Sequence, residues 1–205
     1  MKTPKSHWEN IYNEKSSDEL SWTQSSPSPS IDWIKSALPD RNSHVIDVGG
    51  GNSLLVDALI SEGYLFPAAL DLSQAALDKA RKRLGALDPK VEWIESDVTE
   101  YRISRTFSLW HDRAVFHFLT KSEDRARYKE VLKRTIKPNG KVILATFSPT
   151  GPEKCSGLDV LRYDELGLSS EFQDGFVLER SERITHYTPW GNPQDFLYCL
   201  LKKNP

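Results

Sequence analysis

The fold is decided by one stretch of the sequence, HVIDVGGGNS, at residues 44–53. The apolar, β-branched run 44–48 predicts a strand, and the three glycines at 49–51 allow the chain to turn tightly. A helical pattern follows from about 53 to 62. A strand, a glycine turn and a helix in this order are typical of a parallel sheet with helices on its faces, because the helix carries the chain back to the start of the next strand.

The same alternation continues toward the C-terminus. Further strands are predicted at 66–71, 91–95, about 107–111 and 141–147. Helices begin at Ser73, a good N-cap residue, and at the capping-box sequence Thr120-Lys-Ser-Glu123. A Gly- and Pro-rich excursion, 148–175, then leads to two alternating runs, 176–188 and 194–202. These two runs predict an antiparallel pair, so the chain is of the α/β class.

The composition limits what the protein can be. The 205 residues include 27 Lys and Arg against 29 Asp and Glu, which leaves no cationic surplus for nucleic acid. No apolar stretch is as long as a membrane span, and the N-terminus lacks a secretory signal. Cys155 and Cys199 are too few for a disulfide framework. We therefore expect a cytoplasmic protein that uses neither nucleic acid nor a membrane.

The first forty residues differ from the rest. They contain three tryptophans (Trp8, Trp22 and Trp33) and a Ser/Pro run at 25–30 that suits a joint between two short helices, 5–15 and 30–38. We expect residues 1–40 to form a helical lid on a Rossmann-like domain at 41–205.

Polar side chains follow three of the predicted strands. Asp47 stands near the end of the first strand, Asp71 ends the second, and Asp97 follows the third with the apolar Val98 behind it. Ligands of open parallel sheets bind at the carboxyl ends of the strands. Asp71 suits the two hydroxyls of a ribose, and Asp97 with Val98 suits the amino group and ring of an adenine. Together they predict a nucleoside site.

The glycine turn distinguishes between nucleoside cofactors. A dinucleotide fingerprint needs a third glycine where Leu54 stands, and no phosphate-binding P-loop sequence occurs. Asp47, two places before the first glycine, is no part of that fingerprint but suits a cofactor with a cationic amino acid end. S-adenosylmethionine has such an end.

These residues resemble the first motif of class I S-adenosylmethionine-dependent methyltransferases, acid-x-Gly-x-Gly-x-Gly. The match is at Asp47, Gly49 and Gly51, and Ser53 replaces the third glycine. The resemblance implies a doubly wound, seven-stranded, mostly parallel sheet of order 3-2-1-4-5-7-6, with strand 7 antiparallel and helices on both faces. It also implies a set of cofactor-binding residues: Tyr12, Trp22, Asp47, Gly49, Gly51, Asn52, Ser53, Asp71, Leu72, Asp97, Val98 and His111.

The segment after the fourth strand is similar to the Asp-Arg motif of thiol and thiopurine methyltransferases, here Asp112-Arg113. In that group the arginine faces the substrate. Trp8-Glu-Asn-Ile-Tyr12 and Trp22 resemble the aromatic N-terminal segment of the same group and of the tellurite-resistance and lysine methyltransferases. The candidate catalytic residues are His111, Asp112, Arg113 and His117. Two structural alternatives stay open, an ion pair for Asp112-Arg113 and a packed core histidine for His117.

The leading hypothesis is methyl transfer from S-adenosylmethionine to a small molecule, a thiol or a similar soft nucleophile. The alternatives are a protein-lysine methyltransferase, which makes a protein substrate possible, a non-catalytic cofactor-binding domain, and a nicotinamide-dependent dehydrogenase. The sequence has no H-x-x-H or C-x-x-C spacing, so we expect no metal site.

Overall fold

The computed structural model describes residues 5–102 and 105–205. Residues 1–4 of the predicted lid lie outside this part of the chain. The helices are α1 (Lys5–Glu14), α2 (Ser30–Ala37), α3 (Leu55–Ser61), α4 (Gln74–Leu84), α5 (Ser122–Thr135) and α6 (Glu165–Phe172). The strands are β1 (His44–Val48), β2 (Phe66–Asp71), β3 (Glu92–Glu95), β4 (Phe107–Arg113), β5 (Ile136–Phe147), β6 (Lys154–Cys155), β7 (Leu158–Asp159), β8 (Phe176–Tyr187) and β9 (Pro193–Lys203).

Seven strands form one sheet in the order β3-β2-β1-β4-β5-β9-β8. The pairs among β1 to β5 are parallel, whereas β9 pairs antiparallel with both β5 and β8. This confirms the predicted fold and strand order. The strand numbers differ because the excursion after β5 adds a small hairpin, β6-β7.

The strand order reverses between β1 and β4. The two strands are neighbours although α3, β2, α4 and β3 lie between them in the sequence. In their register Asp47 stands opposite His111. Such a switch point leaves a crevice beyond the carboxyl ends of the strands, and ligands of doubly wound sheets bind there.

The apolar side chains of each central strand divide between the two faces of the sheet. On β4, Trp110 packs with Tyr128 of α5 and Phe172 of α6, whereas Leu109 packs with Leu59 of α3. Both strand residues are fully buried. The alternation follows from the period of two along a strand, and it fixes which helices cover each face.

The two predicted N-terminal helices are both present, but they pack differently. On α2, Ile34 is fully buried and the Trp33 ring lies 5.7 Å from that of Tyr198 on β9. Helix α2 therefore belongs to the core of the sheet domain. Helix α1 instead packs with a small separate cluster that includes Tyr12, Leu20 and Ala76.

Three local predictions differ from the structure. The excursion 148–175 contains the hairpin β6-β7 and helix α6. Strand β5 begins at Ile136 rather than at residue 141, because the Pro138-Asn-Gly140 turn is accommodated within the strand, with Asn139 at a φ of +60°. Helix α5 begins after Lys121 without a side-chain cap, so the capping box predicted at Thr120 is wrong. None of the helices in the described residues is long and apolar enough to span a membrane.

Candidate active site

A cavity of about 200 Å³ lies at the carboxyl ends of the central strands. One wall comes from the ends of the strands and the loops that follow them. The other wall comes from the N-terminal segment 5–24, which we call the N-terminal cover, together with Ser30 of α2. The residues of the predicted cofactor set that line the cavity are Tyr12, Trp22, Asp47, Gly49, Asn52, Ser53, Asp71, Leu72, Asp97, Val98 and His111.

The glycine turn has no room for side chains. Gly49 has a φ of +68°, and a Cβ placed there would lie 2.1 Å from Cγ2 of Val115. Gly51 has a φ of +47°, and a Cβ there would lie 2.7 Å from the hydroxyl of Tyr12. Gly51 does not line the cavity itself, so its role is to let the cover approach the turn closely.

Arg83, which had not been identified from the sequence, forms hydrogen bonds with the end of the glycine turn. Arg83 of α4 donates to the backbone oxygen of Asn52 at 3.1 Å and to that of Ser53 at 2.7 Å. It also forms an ion pair with Asp57 of α3 at 2.8 Å. The side-chain amide of Asn52 donates to Ser17 of the cover at 3.1 Å. Asn52 thus joins the turn to the cover.

Asp71 is a buried carboxylate at the end of β2. Its Oδ1 accepts the backbone N–H of Ser73 at 2.8 Å. Burial raises its pKa to about 7, and the negative charge of Asp47 adds to the rise, whereas the backbone N–H groups of Ser73, Gly51 and Leu72 oppose it. A buried carboxylate on a cavity wall is suited to accept hydrogen bonds from a ligand.

Asp97 lies at the next position along the same edge. Its Oδ1 accepts both the backbone N–H of Thr99 at 2.8 Å and the Thr99 hydroxyl at 2.7 Å. These bonds fix the carboxylate beside Val98 and Leu72, which supply apolar surface to the cavity. The geometry is compatible with a flat heterocycle between apolar side chains.

His111 lies in a chain of three buried polar residues. Its Nδ1 is 2.7 Å from Oδ1 of Asp47, and its Nε2 is 2.8 Å from the hydroxyl of Ser30. Ser53 donates to the other oxygen of Asp47 at 3.4 Å. Both imidazole nitrogens are therefore occupied. His111 positions Asp47 and connects it to α2, and it has no free nitrogen with which to take a proton from a substrate.

Two predicted catalytic residues do not line the cavity. The fully buried Asp112 accepts the backbone N–H of Val115 at 2.9 Å and the hydroxyl of Tyr128 at 2.6 Å. Burial raises its pKa to about 6. His117 is fully buried beside Phe147, and burial lowers its pKa to about 3. Asp112 holds the loop after β4 and His117 packs beside Phe147, so neither lines the cavity in this structure.

Arg113 is the one of these candidate residues other than His111 that lines the cavity. It forms no ion pair with Asp112, whose oxygens are taken by the loop. Its Nη1 donates to the backbone oxygen of Trp22 at 3.0 Å, and its guanidinium carbon lies 4.7 Å from the centre of the Phe196 ring. Its Nε and Nη2 are buried and have no hydrogen-bond partner in the described chain.

The N-terminal cover closes the cavity with aromatic rings. Trp8 lies 5.9 Å from Trp22 and 5.2 Å from Phe118, measured between ring centres and in edge-to-face geometry. Glu9 accepts the backbone N–H of Gln74 at 2.7 Å and so caps α4 from outside that helix.

Several cavity residues had not been identified from the sequence. They include Leu20 and Ser30, which come from parts of the chain without a recognisable motif, and Val115 and Phe118, which follow Asp112-Arg113 closely. Cys155 of β6 also lines the cavity, and burial raises the pKa of its thiol to about 11. Across residues 5–102 and 105–205, no group of three or more His, Cys, Asp or Glu side chains could hold a metal ion.

Residues 45–140 match the protein-family profile described as "Methyltransferase domain". This segment includes the glycine turn, Asp71, Asp97 and Arg113. A search of curated proteins gave no match.

Solved structures with the same fold cover nearly the whole chain. One, from work on the conversion of a disulfide bond into a thioacetal group during echinomycin biosynthesis, has a TM-score of 0.80 at 16% identity over 98% of this chain and 93% of that one. An S-adenosylmethionine-dependent methyltransferase from Anabaena variabilis has a TM-score of 0.75 at 15% identity, over 98% and 95%. The Burkholderia thailandensis 1,6-didemethyltoxoflavin-N1-methyltransferase, with S-adenosylhomocysteine bound, has a TM-score of 0.71 at 16% identity, over 96% and 82%. The profile thus identifies a methyltransferase domain within residues 45–140, and the solved structures show that the whole chain has the fold of S-adenosylmethionine-dependent methyltransferases.

Proposed function

We propose that the protein transfers the methyl group of S-adenosylmethionine to a small-molecule nucleophile, a thiol or a similar soft atom. The observation that carries this proposal is the cavity in which Asp71, Asp97 and the glycine turn share one wall. Asp71 would hold the ribose hydroxyls, Asp97 and Val98 the adenine, and Asp47 with the glycine turn the amino acid end. The cofactor, when bound, supplies a methyl group activated by a positively charged sulfur.

The residues present fit this cofactor. Gly49 and Gly50 line the cavity, and neither places a side chain between the backbone of the turn and a ligand. Asp71 offers a buried carboxylate on the cavity wall, and Val98 and Leu72 offer apolar surface. The protein's own contribution is then to position the two reactants and to exclude water.

The thiol preference rests on proton transfer. His111 is the only histidine among the described residues that line the cavity, and both its nitrogens are hydrogen bonded. Cys155 holds its proton, because burial raises its pKa to about 11. A lysine amine must lose a proton before it reacts, whereas a thiol ionises readily near neutral pH. An acceptor that needs no strong base therefore suits this cavity best.

Calorimetry with S-adenosylhomocysteine tests the cofactor site. We expect one molecule to bind per chain, and we expect Asp71→Ala to weaken that binding. Asp159→Ala is the matched control, because Asp159 is exposed on β7 and lies outside the cavity. A folded wild-type protein that releases no heat with this ligand would overturn the proposal.

A transfer assay with radiolabelled S-adenosylmethionine tests the acceptor. Purified protein is incubated with cell lysate, and the label is separated into small-molecule and protein fractions. Label in small thioethers supports the proposal. Label retained in protein bands would contradict it and favour the lysine alternative.

A further inference from the structure

The geometry points to an acceptor that carries an anionic group, a carboxylate above all, which the guanidinium of Arg113 binds through Nε and Nη2. This inference rests on the proposed methyl transfer, since it names the chemical class of the acceptor for the same cavity. It adds a recognition site to the reacting end of the cavity.

Of the three guanidinium nitrogens of Arg113, one has a hydrogen-bond partner in the described chain and two have none. Nη1 donates to the backbone oxygen of Trp22 at 3.0 Å. Nε and Nη2 are buried, and neither has a hydrogen-bond partner in the described chain. These two nitrogens lie along one side of the planar guanidinium. Their N–H bonds run parallel, which is the arrangement that binds both oxygens of a carboxylate.

No carboxylate of the described chain forms an ion pair with Arg113. The carboxylate of the adjacent Asp112 accepts hydrogen bonds from the backbone N–H groups of Val115 and Phe116 and from the hydroxyl of Tyr128. The guanidinium carbon lies 4.7 Å from the centre of the Phe196 ring. Cys155 lines the same cavity and keeps its proton, because burial raises the pKa of its thiol to about 11. A guanidinium is charged at every physiological pH, and a buried charge without a counter-ion is unfavourable. A ligand anion would provide the missing partner.

A second unpaired donor lies in the same region. The Nδ1 of His117 accepts the backbone N–H of Phe147 at 3.4 Å, so the proton of the neutral imidazole is on Nε2. That nitrogen is buried and has no partner in the described chain. The charge of Arg113 reaches this ring, because it helps to lower the His117 pKa. His117 does not line the cavity, so the anion site proposed here consists of Nε and Nη2 of Arg113.

The N-terminal cover controls access to these donors. Protein atoms cover Nε and Nη2, and the Trp22 carbonyl lies against the same guanidinium. We therefore expect the anion to reach Arg113 when the Trp22 segment moves, and the acceptor to hold the cover in place once it is bound.

A nuclear magnetic resonance titration tests the anion site without knowledge of the acceptor. The Nε–H signal of Arg113 is followed in the ¹⁵N-labelled full chain saturated with S-adenosylhomocysteine. Acetate and benzoate are titrated against acetamide and benzamide, at constant ionic strength. The signal is assigned through bonds to the backbone and checked by its loss in Arg113→Lys. Arg162, which already has Glu153 as partner at 3.0 Å, is the internal control.

We expect a saturable shift of the Arg113 signal with the two carboxylates, at concentrations about tenfold lower than any shift with the amides, because only the anions pair with the charge. The Arg162 signal should show no such preference. An Arg113 signal that does not saturate, or that responds equally to acids and amides, would overturn the inference. Absence of S-adenosylhomocysteine binding would instead count against the proposed function, and the same titration on the free protein would still decide the anion site.

Discussion

The two walls of the cavity are built in different ways. On the strand wall, Asp47 and His111 are fixed opposite each other by the register of β1 and β4. On the other wall, the N-terminal cover is attached by a small apolar cluster and by single polar contacts, such as that of Glu9 with α4. Ladder hydrogen bonds make a precise recognition surface, whereas a few separable contacts make a wall that can open. A cofactor needs both, because it must enter and then be enclosed.

The largest expected effect is on the free energy of unfolding, and it differs between a substitution in α2 and one in α1. Trp33→Ala should lower the free energy of unfolding by about 3–5 kcal/mol, because Trp33 is 4% exposed and packs within the core. Trp8→Ala should cost about 1–2 kcal/mol, since Trp8 is half-buried in the cover. Urea unfolding of both variants measures the difference. Equal losses would mean that the cover is as much a part of the core as α2.

The strand wall could be predicted from the sequence for a physical reason. Parallel strands place their carboxyl ends at one edge, so Asp47, Asp71 and Asp97 had to lie together once the strands were identified. The glycine turn followed from the same pattern. Local spacing alone thus predicted that these residues lie on one wall of the cavity.

The reacting end of the cavity could not be predicted in the same way. Its contacts join residues far apart in the chain, as between His111 and Ser30, which are 81 positions apart. The sequence also gave no sign that Asp112 caps the loop after β4, because that role depends on where the chain turns. The division of residues 1–40 between cover and core likewise depends on packing.

The next largest effect is on cofactor affinity and comes from a substitution on the strand wall. Asp71→Asn should weaken the binding of S-adenosylhomocysteine by about 1–3 kcal/mol, because the amide offers one acceptor fewer to the ribose hydroxyls. Asp159→Asn, on the exposed hairpin, is the matched control. Calorimetry measures both. Unchanged affinity in the Asp71 variant would place the ribose elsewhere.

The same carboxylate gives the affinity a pH dependence. Asp71 has a pKa raised to about 7 in the free protein, and the ribose hydroxyls favour its ionised form. Affinity for S-adenosylhomocysteine should therefore fall as the pH is lowered through about 7. Asp71→Asn should remove most of this dependence. Calorimetry at pH 6 and pH 8 decides, and an equal pH dependence in both proteins would assign it to another group.

Stability should depend on pH in the opposite sense. The pKa values of Asp71 and Asp112 are raised to about 7 and about 6, above the value of 3.8 for an ordinary aspartate. Between pH 4 and pH 7 these two groups therefore bind more protons in the folded protein than in the unfolded chain, and their contribution to the free energy of unfolding falls as the pH rises. Asp71→Asn should reduce that fall, and urea unfolding across this range measures it.

The smallest effect tests how the cover is attached. Glu9 accepts the backbone N–H groups of Gln74 at 2.7 Å and Ala75 at 3.3 Å, while Ser73 accepts that of Ala76 at 3.2 Å. The first turn of α4 is thus capped partly from within and partly by the cover. A carboxylate at a helix N-terminus is favourable because it meets the positive end of the helix dipole.

Glu9→Gln keeps the shape of this contact and removes its charge. We expect a loss of about 0.3–1 kcal/mol in the free energy of unfolding and a faster release of S-adenosylhomocysteine in stopped-flow measurements, because the cover opens more often. Glu14→Gln, exposed at the end of α1, should change neither quantity. A slower release in Glu9→Gln would mean that the charge holds the cover away from the cavity. In that case the charge of Glu9 would repel the cover from the strand wall rather than attach it to α4.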